Sequence, residues 1–157
     1  MNRQQNGFTF VEVLISLVLL ALLASVVIPV SDIASRQSKE RELKRALVEI
    51  RDAIDAYKEA SDKNEIPKQF QTASGYPPNL KILEGFPEER GKIKHQRFIR
   101  KIPADPFSTQ KNIPPEQTWG KRSFLSEDND PKEGEDVYDI YSTSKKTGTN
   151  GIAYHEW

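Results

Sequence analysis

From Phe8 to Val30 the chain reads FTFVEVLISLVLLALLASVVIPV, an apolar run of 23 residues broken by one charge, Glu12. Coiled as an α-helix at about 1.5 Å per residue, such a run is long enough to cross a hydrocarbon core of about 30 Å. Residues 31–157 hold no second run of this kind. The expected organisation is a membrane helix over residues 8–30, one water-facing domain over 31–157, and a short segment, 1–7, ahead of the span. A secretory signal peptide fits less well. Its apolar region is shorter and ends at a small-residue cleavage site, whereas this run stays apolar past Ala24-Ser25. Arg3 lies before the span. Arg36, Lys39 and Arg41 alternate with Glu40 and Glu42 beyond it, so the basic residues alone do not orient it.

Two residues inside the run are out of place in a plain anchor. A carboxylate in a membrane helix costs about 2.5–3.5 kcal/mol, and leucine at position 12 would remove that cost. Some interaction must offset it, or Glu12 must snorkel to the interface. Pro29 has no N–H and clashes with the carbonyl four residues back, so a kink or loosening of the helix is expected near it.

After Pro29 the pattern turns amphipathic. Leu43, Ala46, Leu47, Ile50, Ala53, Ile54 and Tyr57 recur at three- and four-residue steps. Arg45, Glu49, Arg51, Asp52, Asp55, Lys58 and Glu59 take the other face, which reads as solvated. The helix should continue to about residue 60 and fade near Ser61–Asn64. Beyond it, Pro and Gly punctuate the chain densely through residue 118. Asn79 is placed to cap a short helix through Leu83, and a second helical piece is expected over Glu88–Phe98. Strands are expected at Trp119–Leu125, Asp136–Thr143 and Gly151–Trp157, with turn-rich linkers between them. The fold class is therefore α+β: a long N-terminal helix, its first half transmembrane, packed on a small antiparallel sheet of about three strands, with an irregular connection between helix and sheet.

Composition removes several functions. With no Cys, disulfides, thiol nucleophiles and Cys-ligated metals are excluded. The two His, His95 and His155, are far apart in sequence and form no cluster. With 23 Lys+Arg against 23 Asp+Glu the formal net charge is zero, against the pattern of a basic nucleic-acid binder. The stretch Lys92–Lys101 is basic but alternates with Ile93, Phe98 and Ile99, which suits a half-buried segment. No nucleophile elbow or phosphate loop is present, so no enzyme is expected.

The N-terminal residues Gly7-Phe8-Thr9-Phe10-Val11-Glu12-Val13-Leu14-Ile15 resemble the processing signal of type IV pilins and type II secretion pseudopilins. The resemblance implies that residues 1–7 are a leader, that a prepilin peptidase cuts between Gly7 and Phe8, and that Phe8 is then N-methylated. It also implies that Glu12 pairs with the new Phe8 amine of a neighbouring subunit, setting axial register. Its own amine, one helical turn away, is the alternative partner. In the second half, Tyr76-Pro77, Pro103-Ala104-Asp105-Pro106-Phe107, Trp119-Gly120 and Val137-Tyr138-Asp139-Ile140-Tyr141-Ser142 resemble the G-type major pseudopilin, and with it the pilin fold.

The resemblance implies a structural subunit of a periplasmic pseudopilus that drives type II secretion. It would be a single-pass protein of the bacterial inner membrane with its head in the periplasm. Its partners would be copies of itself, other pilins or pseudopilins, the prepilin peptidase and an inner-membrane assembly platform, with no nucleic acid. The alternatives are a major or minor type IV pilin for adhesion, motility or DNA uptake, and a membrane-anchored binding module that does not polymerise. G-type pseudopilins usually bind Ca²⁺ in the loop after the last motif, through several Asp. Here that loop, Thr143–Gly151, has Lys145 and Lys146 and no carboxylate, so no cofactor is expected there. The acidic stretch Glu127–Asp136 is a poor calcium loop, broken by Pro131.

Overall fold

The computed structural model of the chain describes residues 7–86, 96–110, 112–127 and 130–157, the side chains of 26–31 excepted. It divides into two compact units, Met1–Ser38 and Lys39–Trp157.

A single helix, α1, runs over Phe10–Asp62. In the first unit every described side chain is exposed, including Phe10, Leu14, Leu17, Leu20 and Leu23. Among the described residues no helix is long and apolar enough to cross a membrane. The apolar sequence run continues into residues 26–31, whose side chains lie outside the description. The expected kink at Pro29 lies there too.

In the second unit, α1 turns its apolar stripe inward. Leu43, Ala46, Leu47, Ile50, Ala53, Ile54, Tyr57 and Ala60 are all buried, the face that the three- and four-residue spacing dictates. The helix ends in a Schellman motif. Asn64 adopts a left-handed φ of 58°, Glu65 N–H donates to Ala60 O at 2.9 Å, and Asn64 N–H donates to Ser61 O at 2.9 Å. A 3₁₀ turn follows at Leu80–Glu84. Asn79 caps it as the sequence predicts, its side chain accepting from Ile82 N–H at 3.1 Å. Leu80, Ile82, Leu83, Phe86, Ile99 and Ile102 from this connection join the stripe in one core with Trp119, Val137, Ile140 and Tyr154. Each such Leu or Ile contributes about 1.5–3 kcal/mol by leaving water. The helical piece expected over Glu88–Phe98 lies largely outside the described residues.

Among the described residues the sheet has two strands, β1 (Trp119–Arg122) and β2 (Asp139–Ser142), paired antiparallel with Trp119 opposite Ser142 and Gly120 opposite Tyr141. Both are shorter than expected. In place of a third strand at Gly151–Trp157 there is one bridge, Thr147 to Ala153, and a 3₁₀ turn at Tyr154–Glu156. The reason is packing: this segment buries Tyr154 completely and stacks it on Phe107 at 4.1 Å between ring centroids. A flat strand would carry alternate side chains to opposite faces, whereas the turn lets Tyr154 and Trp157 meet edge to face at 5.1 Å.

Candidate functional site

At the N-terminal end, α1 begins one residue after Thr9. The Thr9 hydroxyl accepts from Glu12 N–H at 3.2 Å, and Thr9 O accepts from Val13 N–H at 3.2 Å. Thr9 is thus the N-cap and Glu12 the third helical residue, the spacing of a capping box. Glu12 lies in the first turn, where unpaired backbone N–H groups favour negative charge. A carboxylate at this position favours the helix start locally. Upstream of the cap, Gly7 and Phe8 are exposed and non-helical, and a Cβ added to Gly7 would meet nothing within 4 Å. Gly7, Phe8 and Glu12 are therefore close together in an accessible stretch at the helix start.

In the head, two of the sequence motifs converge. Asp105 is buried, and its carboxylate accepts from the Ser142 hydroxyl at 2.7 Å and from Phe107 N–H at 2.8 Å. Asp105 N–H donates to the Thr118 hydroxyl at 2.9 Å, and Trp119 Nε1–H donates to Pro103 O at 2.8 Å. The proline-rich turn at 103–107 is thereby fastened to both strands. Gly120 is required by the same packing, since a Cβ there would lie 2.3 Å from the Tyr141 ring. Tyr76 forms a second aromatic group with Phe124 and Tyr138, and Val137 N–H donates to Pro77 O at 2.8 Å.

The described carboxylates of the acidic stretch 127–136 are engaged with the protein's own groups. Asp136 turns inward and accepts from the hydroxyls of Ser74 and Ser123 and from Phe124 N–H. Burial works to raise its pKa, but these hydrogen bonds together outweigh it and hold the carboxyl below the usual aspartate value. Asp130 pairs with Lys132 at 2.6 Å and Glu133 with Lys121 at 3.5 Å.

The loop Thr143–Gly151 is built differently from a calcium loop. It is closed by Gly148 N–H to Ile152 O at 2.7 Å and by Tyr154 N–H to Lys146 O at 3.1 Å. Among the described residues, the Glu40 carboxylate of α1 reaches it. Glu40 accepts from Thr149 N–H at 2.9 Å, from the Thr149 hydroxyl at 2.5 Å and from the Tyr154 hydroxyl at 2.8 Å. Calcium needs six to eight oxygen ligands, several of them anionic. The Glu40 carboxylate, already facing hydrogen-bond donors and beside two Lys, does not supply the anionic ligand set that ion needs.

Two head residues have roles that the sequence pattern does not announce. Glu40 reads as one of the charges flanking the span, yet it falls three residues before Leu43 and seven before Leu47, on the buried stripe. A charge at a stripe position is the signal that marks it. Arg51 is expected on the solvated face. Instead its guanidinium donates to Asp139 at 2.8 Å, to Ile140 O at 3.2 Å and to Trp157 O at 2.8 Å. It ties α1 to β2 and to the last residue described.

A family model described as the prokaryotic N-terminal methylation motif matches residues 2–28. Curated relatives named type II secretion system core protein G include those of three bacteria. The protein of Pseudomonas aeruginosa is 30% identical over 85% of this chain and 89% of its own length. That of Aeromonas hydrophila is 28% identical over 86% and 90%. That of Dickeya chrysanthemi is 26% identical over 96% and 97%. No solved structure matches the chain significantly.

Proposed function

Since the chain belongs to the G-type pseudopilin family and is a pseudopilin subunit of type II secretion, we propose a specific working cycle for it. The chain enters the inner membrane through its apolar helix, with the head on the periplasmic side. A prepilin peptidase cuts between Gly7 and Phe8, and Phe8 is methylated on its new amine. Subunits then pack through the Phe8–Ile28 helices into a periplasmic filament with copies of themselves and other pseudopilins. In lipid this packing rests on dispersion and on the polar contact of Glu12, since tails and apolar side chains are equally apolar. The role is structural, and no reaction is assigned to the chain.

The observation that carries this reading is the start of α1. Thr9 caps the helix, Gly7-Phe8 sits in the open just ahead of it, and Glu12 occupies the first turn. A cut there leaves an ammonium one turn from a carboxylate. Removing residues 1–7 takes away one basic residue, Arg3, so the mature chain has 22 Lys+Arg (23 less one) and 23 Asp+Glu. N-terminal mass analysis of the membrane fraction tests the cycle. With the peptidase present the chain should begin at a methylated Phe8; in cells lacking the peptidase it should keep residues 1–7. An intact N-terminus in both would sink the proposal.

A further inference from the structure

We propose that the Glu40 carboxylate anchors the Thr143–Gly151 loop where the family resemblance implies Ca²⁺, so that this head holds its loop without a cation. Glu40 is 7% exposed although its neighbours Lys39 and Arg41 are exposed. A buried carboxylate without partners costs several kcal/mol, so it must be met by donors. The loop and the turn after it supply them: Thr149 N–H, the Thr149 hydroxyl and the Tyr154 hydroxyl. Hydrogen bonds to an ionised acceptor are about twice as strong as neutral ones. They perform the task that a cation performs elsewhere, which is to bind together groups remote in sequence.

The polarity of the site supports this assignment over an ion. These three groups turn hydrogens toward Glu40, and an N–H cannot ligate a metal. The loop itself is cationic at Lys145 and Lys146, which repels a divalent ion and suits a helix-borne carboxylate. The loop is also closely packed at Gly148: a Cβ added to this buried residue would lie 2.5 Å from the Trp157 ring and 2.6 Å from the Asn150 side-chain carbonyl. The bridge between Thr147 and Ala153 closes the loop base. The anchor therefore joins α1, the loop tip and the Tyr154 turn through a single side chain.

Hydrogen exchange of the full-length protein in detergent tests this, with excess calcium chloride or with EGTA. Wild-type protection over residues 143–154 should be the same in both. Glu40→Ala should speed exchange there about tenfold or more, the size expected from losing hydrogen bonds to a charged acceptor, and should do so equally with calcium and with EGTA. Thr149→Val and Tyr154→Phe remove one hydroxyl each and should give several-fold increases confined to the same segment. They keep the test decisive if Glu40→Ala fails to fold. Calcium-dependent protection of the wild type, or unchanged loop exchange in Thr149→Val and Tyr154→Phe, would overturn the proposal. Neither readout needs filaments, so this inference and the processing cycle fail independently.

Discussion

Asp136 carries a charge in surroundings where burial alone favours the neutral acid. Two serine hydroxyls and one backbone N–H reverse that preference. Because its pKa is lower in the folded chain than in the unfolded one, its stabilising effect is complete above the unfolded value of about 4 and is lost as pH falls through the folded value. Acid should therefore lower the thermal midpoint of the wild type below about pH 4 more steeply than that of Asp136→Asn. Equal slopes would show that Asp136 does not govern the acid limb. Tyr57 behaves in the opposite sense. Burial raises its phenol to about 12, while its hydroxyl donates to Phe70 O. Its contribution is intact below the ordinary tyrosine value and fades as pH rises through about 12. An ultraviolet titration should show one tyrosine ionising about two units above a freely exposed one; Tyr57→Phe should lack that step. Asp105 joins two motifs that are 37 residues apart. Asp105→Asn puts an amide NH₂ opposite Ser142 or Phe107 N–H and should cost about 1–3 kcal/mol, read as a lower unfolding midpoint of the full chain in detergent.

At the scale of elements, α1 is one helix with two chemistries. Over the first unit its described side chains are mostly apolar and exposed. Over the second unit a stripe is buried and the remaining face is mostly polar. The stripe is legible because 3.6-residue periodicity is a local property. The tertiary roles of Glu40 and Arg51 are not. Their partners at Thr149, Tyr154 and Asp139 lie 88 to 114 residues away, and no local pattern encodes those distances. The strand pair shows the same division. Both observed strands lie inside segments that the sequence marks as strands, but they are shorter than those segments. Gly120→Ala should be felt across the pair, because Tyr141 must move off its ring position to admit a methyl group. A destabilisation of about 1–3 kcal/mol is expected, measurable by thermal unfolding. A neutral outcome would mean the ring is freely displaced.

For the molecule as a whole, the decisive experiment is at Glu12. Glu12→Leu removes a charge from the span and should leave insertion and head folding intact, by membrane fractionation and by exchange protection of the core. Filament formation should be lost, visible as absent polymers on overexpression. Normal polymers from Glu12→Leu would mean that helix packing alone sets subunit register. The apolar run and the N-terminal methylation motif matched over residues 2–28 are legible without reference to any fold, because they concern one contiguous segment. The buried face of α1 and the cap at Asn79 were likewise settled by neighbours in sequence. Tertiary structure alone decided that Glu40 points inward, that Asp105 meets Ser142, and that the chain's last described residues form a turn around Tyr154 instead of a strand. Each of these is a choice among partners distant in sequence, made by which buried polar group can be satisfied and which ring can fill the remaining space, and that is a property of the assembled core.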